Sequence, residues 1–188
     1  MLERVKAPVD LPITLAEAKS HLRVTVDVDD KLIRDYIKSA TEYCEAQIPG
    51  SRSFLSTTWD WKLHTFPGDS FAVPRPPLQS VTHIKYYATN SSTSLSTLSS
   101  TAYLVHTPRE IAGGIERHPN NGAWPTIADR ADAVTVRYIA GYPSSEVPEQ
   151  VKHAIKLLTS HWYDNRGAGV VGTISKELEF GLENLLGS

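Results

Sequence analysis

Apolar residues near the N-terminus recur at spacings of three and four, which predicts a first short helix. Thr14 and Glu17 have the spacing of a capping box, so the helix is expected to begin directly after Thr14. The β-branched run at residues 24–26 disfavours its continuation. The residues on its apolar face are Leu15, Ala18 and Leu22.

A longer amphipathic helix is predicted next. Asp29 or Asp30 is expected to cap it, because a carboxylate suits the positive end of the helix dipole. Pro49 and Gly50 end the pattern. Its apolar face comprises Leu32, Ile33, Tyr36, Ile37, Ala40, Tyr43 and Cys44.

Between residues 53 and 142 the apolar period changes to two, which is typical of half-buried strands. Trp59, Trp61 and Leu63 alternate with polar residues, and residues 133–140 give the clearest strand. Further strands are expected near residues 71–73, 81–87, 103–106 and 115–117. The Ser/Thr-rich stretch at residues 89–102, with Ser94, Leu95 and Leu98, is interpreted as a long loop or hairpin tip.

Helical spacing resumes after Pro148 and ends near Gly167. A glycine-rich stretch and a short amphipathic segment follow. The pattern predicts an α+β fold, a small helical bundle with a β-rich insert and a C-terminal tail segment. The expected divisions are N-terminal helices at 1–52, the β-rich insert at 53–145, a helix completing the core at 146–167, and the tail at 168–188.

Composition and charge exclude some classes of function. The chain has 188 residues and a formal net charge of −2, so it lacks the basic surplus of proteins that grip nucleic acid by its phosphates. The first twelve residues carry charges and no apolar core, so no signal peptide is expected. No apolar run approaches the roughly 18 residues of a membrane helix.

The residues suited to chemistry form no known catalytic motif. His64, His83 and His106 lie on different predicted strands and are expected to face solvent. Asp27, Asp29 and Asp30 lack the glycine and glutamate of a calcium loop, so helix capping is preferred. Cys44 is interpreted as a small buried hydrophobe. The aromatic residues are assigned to core or subunit-interface packing, namely Trp59, Trp61, Tyr86, Tyr87 and Trp124.

A collinear series of segments resembles the head–tail connector (adaptor) proteins of long-tailed phages and gene transfer agents. The resemblance covers residues 9–166. It is carried by ITLAEAKSHLRV (13–24), DDKLIRDYI (29–37), PRPPLQSV (74–81), AVTV (133–136), AGY (140–142), VPE (147–149), IKLL (155–158) and HWYDNR (161–166).

The resemblance implies a structural virion protein of the neck, assembled in the host cytoplasm, without cofactor, metal or catalytic residues. Such subunits form a ring under the portal, usually a dodecamer, which extends the DNA channel without sequence-specific binding and without contact to a membrane. The ring receives the stopper or tail-end protein. The tail segment, with Ile174, Leu178, Leu182, Leu185 and Leu186, is expected to anchor to the portal or to a neighbour. The alternative is that the tail folds back onto the core of its own subunit. Ser94, Leu95 and Leu98 are expected to contact the ring neighbour or the tail side.

Three rival interpretations stay open. The chain could be a small cytosolic α+β metal-dependent enzyme, which the histidines would serve. It could be a ligand- or carbohydrate-binding β module, for which the tryptophans are the support. Within the same particle it could be the stopper (head-closure) protein, although the two N-terminal helices favour the adaptor.

Overall fold

The computed structural model describes residues 1–48, 51–108, 112–166 and 181–182. The chain divides into two units that are each discontinuous in sequence. Unit 1 comprises Met1–Pro8 and Ser56–Tyr142, and unit 2 comprises Val9–Leu55 and Pro143–Ser188. Three helices and two antiparallel sheets are described, which confirms the α+β class. Within the described ranges, no helix is long and apolar enough to cross a membrane.

Unit 2 contains the helices α1 (Leu15–Leu22), α2 (Asp30–Gln47) and α3 (Glu149–Asp164). The predicted capping box of α1 is confirmed. The Glu17 amide donates to Thr14 Oγ1 at 3.1 Å, and the Thr14 amide donates to Glu17 Oε2 at 2.7 Å. Helices α2 and α3 each bury one apolar stripe, formed by Ile33, Ile37, Ala40 and Cys44 on α2 and by Val151, Ala154, Ile155 and Leu158 on α3.

The described residues of unit 1 form eight strands in two sheets. The strands are β1 (Leu2–Lys6), β2 (Thr57–Leu63), β3 (Ser70–Ala72), β4 (Leu78–Tyr86), β5 (Ser96–Thr97), β6 (Tyr103–His106), β7 (Gly114–Arg117) and β8 (Val134–Ala140). A five-stranded sheet has the order β1-β2-β8-β4-β5, and a three-stranded sheet has the order β3-β7-β6. All pairs are antiparallel.

The core of unit 1 lies against one face of the five-stranded sheet. Val134, Val136, Tyr138 and Ala140 alternate along β8 and are buried there, as period two requires. Trp59 belongs to this core, and Trp61 packs against it. Trp124 stacks on Phe66 with ring centroids 4.3 Å apart. These three tryptophans therefore pack in or against the core, as the sequence predicted.

The sequence pattern does not predict strand β1, because it assigns residues 1–52 to the N-terminal helices. The residues of β1 do not alternate between apolar and polar. Among the described residues, β1 pairs with β2 alone, and four of its five residues are exposed. An edge strand tolerates charges that would be excluded from a central one. The segment at residues 89–102 is the tip of the β4–β5 hairpin together with a 3-10 turn at Ser100–Ala102.

Two of the connections that leave unit 1 run side by side. The Ser56 amide donates to the Tyr142 carbonyl at 3.0 Å. The side-chain amide of Gln79 donates to Ser56 Oγ at 2.7 Å and to the Gly141 carbonyl at 2.6 Å. Gln79 therefore links the start of the long unit 1 segment to its end.

Candidate assembly surfaces

Large apolar side chains are exposed at several ordered positions. Burying apolar surface stabilises by about 25 cal/mol per Å², so a group of exposed apolar side chains on a fixed backbone is suited to a protein partner. The exposed residues are Met1 and Val5 on or beside β1, Val9, Val26 and Val28 in unit 2, Leu95 beside β5, and Leu104 and Val105 on β6.

The loop between α1 and α2 presents two of these side chains. Val26 is 58 % exposed and Val28 is 85 % exposed. Lys19 fixes the loop, because its ammonium group lies 2.6 Å from Asp27 Oδ1 and 2.8 Å from Asp30 Oδ1. The two ion pairs restrain the backbone that carries both valines, which lowers the entropic cost of binding a partner.

Asp29 connects this loop to the end of α3. Its Oδ2 accepts hydrogen bonds from the Tyr163 hydroxyl at 2.7 Å and from Arg166 at 2.9 Å. Both bonds favour the ionised carboxylate and lower the pKa of Asp29. Asp29 is the N-cap residue of α2, as predicted, but its side chain caps no helical N–H group. The capping interpretation of this carboxylate is therefore wrong, since it bonds instead to Tyr163 on α3 and to Arg166 just beyond the end of α3.

The second face of the five-stranded sheet is polar. Glu3, Asp60, Arg137 and His83 are aligned across β1, β2, β8 and β4 by the strand register. Arg137 forms two hydrogen bonds to Asp60, at 2.7 and 2.6 Å, and Lys62 pairs with Glu3 at 2.8 Å. Burial and the nearby cations Lys85 and Arg137 lower the pKa of His83. Most charges on this face are thus compensated internally.

The predicted contact residues differ in how far they are exposed to solvent. Ser94 and Leu95 are exposed at the hairpin tip, with Leu95 at 38 %. Leu98 packs against the core of unit 1, and its amide donates to the Ile84 carbonyl at 2.8 Å. Leu182 is buried, at 4 % exposure. Ile174, Leu178, Leu185 and Leu186 lie outside the described residues.

The residues considered for chemistry lie apart. His64 contacts the Arg130 carbonyl at 3.0 Å, His106 contacts Glu116 at 2.9 Å, and His83 lies on the polar sheet face. Within the part of the chain that is described, no group of three His, Cys, Asp or Glu residues could hold a metal ion. Cys44 is fully buried, and this burial raises the pKa of its thiol to about 12.

Solved structures share this fold. A chain in the neck of an empty gene transfer agent (GTA) particle, computed with C6 symmetry, superposes with a TM-score of 0.77 at 20 % identity. Chains in the virion of the native GTA particle and in the neck of the native particle, computed with C12 symmetry, give 0.79 at 20 % and 0.75 at 21 %. Each match covers 100 % of this chain and 93 % of the other.

The sequence of the chain also matches the model of a protein family. No curated protein sequence matches the chain. The family model of the phage gp6-like head-tail connector protein matches residues 12–118, which is more than half of the sequence. This match includes α1, α2 and the strands from β2 to β7. The chain therefore belongs to the phage gp6-like head-tail connector family and is a structural protein of the virion.

Proposed function

We propose that the chain is an adaptor subunit of the virion neck, which forms a ring under the portal, extends the DNA channel and receives the stopper or tail-end protein. The family match over residues 12–118 carries this proposal. A fold shared with chains in GTA necks, one of them computed with C12 symmetry, supports a ring of twelve.

The charge distribution is suited to a channel through which DNA moves. The net charge is −2, and the cations Lys62, Arg117 and Arg137 are each paired with a carboxylate. Cations engaged within the protein release few counterions from DNA, so phosphate binding is weak. DNA is expected to pass without sequence-specific contacts.

The tail segment at 168–188 is proposed to anchor the subunit to the portal or to a ring neighbour through Ile174, Leu178, Leu185 and Leu186, whereas Leu182 is buried and is not part of the proposed contact. A helix whose apolar side enters a partner groove is a common recognition mode. Because many copies bind together in a ring, each anchor need not bind tightly. At the hairpin tip, Ser94 and Leu95 are proposed to contact the tail side or a neighbour, with Leu98 supporting them from the core.

Electron microscopy of heads with and without the chain tests the function. Density for a ring is expected at the portal vertex only when the chain is present. Mature particles that lack the chain and still carry tails would refute the proposal.

Truncation tests the anchor. A chain without residues 173–188 is expected to stay folded and to lose cosedimentation with portal-bearing heads. Since Leu182 is buried, the variant Leu185→Asp with Leu186→Asp leaves it in place and isolates the anchor. If the truncated chain unfolds and the double variant still binds heads, the anchor proposal is wrong.

A further inference from the structure

The β unit has two distinct ends. Strand β1 forms one edge of the five-stranded sheet and β5 forms the other. The strands of the three-stranded sheet run in the same order across the unit. Its strand β6 contacts β4, and Phe71 on its strand β3 contacts Trp61 on β2, with ring centroids 6.0 Å apart. The edge strands β1 and β6 therefore lie toward opposite ends of unit 1.

Strand β6 is an open edge with apolar side chains. Leu104 and Val105 are each 37 % exposed, and as successive residues they point to opposite faces of the sheet. The strand contains no proline, lysine, arginine or bulge, the features that usually block pairing at an edge. Glu116 lies opposite Leu104 on the outer face of this sheet, 2.9 Å from His106, and places a carboxylate beside the exposed leucine.

Strand β1 has the complementary character. Val5 is 45 % exposed, and Arg4 and Lys6 are exposed beside it. Glu3 is engaged with Lys62, whereas Arg4 and Lys6 form no ion pair among the described residues. This edge therefore combines an exposed apolar side chain with two uncompensated positive charges. The register of β1 on β2 shifts between Arg4 and Lys6, so this edge offers side chains for a contact and not a regular run of backbone groups.

We propose that β1 of one copy of this chain lies against β6 of the next copy. The inference rests on the proposed ring function and names the contact between its subunits. Two different patches at opposite ends of one unit form a heterologous contact, and its repetition closes a ring when the rotation matches. A two-fold contact through β1 alone would bring Arg4 and Lys6 of both copies together, which like-charge repulsion opposes.

Engineered cysteines test the contact in assembled particles. The variant with Val5→Cys and Leu104→Cys is treated with a short bismaleimide crosslinker and resolved on a denaturing gel. Cys44 adds little background because it is buried and its thiol has a raised pKa. A ladder of multimers is expected from the double variant, monomers from either single variant, and dimers alone from particles that contain both single variants.

Control variants separate this contact from chance collisions. The pair Val28→Cys with Leu104→Cys exposes an equally accessible thiol in unit 2 and is expected to give no ladder. Arg4→Glu is expected to lower the ladder yield severalfold, and adding Glu116→Arg is expected to restore it. Dimers from Leu104→Cys alone would indicate a two-fold contact and would overturn the proposal.

The state of the ring is measured in the same particles by electron microscopy. A ring at the portal vertex without crosslinks in the double variant would overturn the β1–β6 contact and leave the proposed function intact. Particles without any ring of this chain would refute the proposed function and the contact together.

Discussion

The guanidinium group of Arg137 on β8 forms two hydrogen bonds with the carboxylate of Asp60 on β2, at 2.7 and 2.6 Å. Asp60 is only 7 % exposed, so this pair holds a charge that the fold has removed from water. The register places the two residues directly opposite each other. They tie the first strand of the long unit 1 segment to its last strand.

Asp60→Asn is expected to destabilise unit 1 by about 2 kcal/mol, because it leaves Arg137 without its charged partner. The measurement is the urea denaturation midpoint at pH 7. Glu3→Gln, which removes a more exposed pair with Lys62, is the control and is expected to change stability by less than about 0.5 kcal/mol. Equal effects of the two variants would contradict the role assigned to the Asp60 pair.

The same pair predicts a pH dependence. Arg137 lowers the pKa of Asp60 below its ordinary value of 3.8. The stabilisation is therefore fully present above about pH 4 and is lost as the pH falls through the lowered pKa. Between neutral pH and strongly acidic pH, the Asp60→Asn variant should lose less stability than the wild-type chain. An identical loss in both chains would exclude this contribution.

Gly113→Ala is expected to destabilise unit 1 by about 2 kcal/mol. A Cβ atom at Gly113 would overlap Leu78 Cβ and lie 2.8 Å from the His106 carbonyl oxygen, where neither neighbour can rotate away. Gly122→Ala is the matched control, since nothing lies within 4 Å of its added Cβ. Thermal unfolding of both variants checks the prediction, and a neutral Gly113→Ala would show that the two sheets are less closely packed.

Thr159→Val is expected to raise the stability of unit 2 by about 1 kcal/mol. The Thr159 hydroxyl is buried and has no hydrogen-bond partner among the described residues. In Thr41, by contrast, the hydroxyl donates to the Ile37 carbonyl at 2.7 Å. Thr41→Val should therefore give no gain, and a higher melting temperature for Thr41→Val than for Thr159→Val would refute the argument.

Val26→Asp with Val28→Asp is expected to leave the melting temperature unchanged within about 2 °C, because both side chains are exposed. If the braced loop is a contact surface, the variant is incorporated into particles at least several times less efficiently than wild type. Quantitative blotting of purified particles measures this. Thr25→Asp, an exposed polar position in the same loop, is the control. Equal incorporation of the three chains would remove the loop from the assembly surfaces.

Much of the fold was predictable because the local signals were strong. The capping box at Thr14, the apolar stripe of α2 and the alternation along β8 each follow from short-range rules, and the structure confirms them. The family was predictable from the same segments in collinear order.

The remainder depends on contacts between distant residues. β1 carries no alternation, since its position is set by pairing with β2 more than fifty residues later. The partner of Asp29 is on α3, 134 residues away from it in sequence, so a local rule assigned its carboxylate to the wrong role. Exposed apolar residues such as Val28 or Leu104 resemble core residues in sequence, and only the packed structure separates the two groups.

The interleaving of the two units has a consequence for synthesis. β1 cannot pair until β2 has been synthesised, and α1 and α2 cannot pack against α3 until α3 has been synthesised. Neither unit can therefore be completed until most of the polypeptide has left the ribosome. Contacts between residues so distant in sequence also slow folding. A nascent chain stopped before residue 134 would lack the central strand β8 as well as α3, and it would supply the particle with no finished building block.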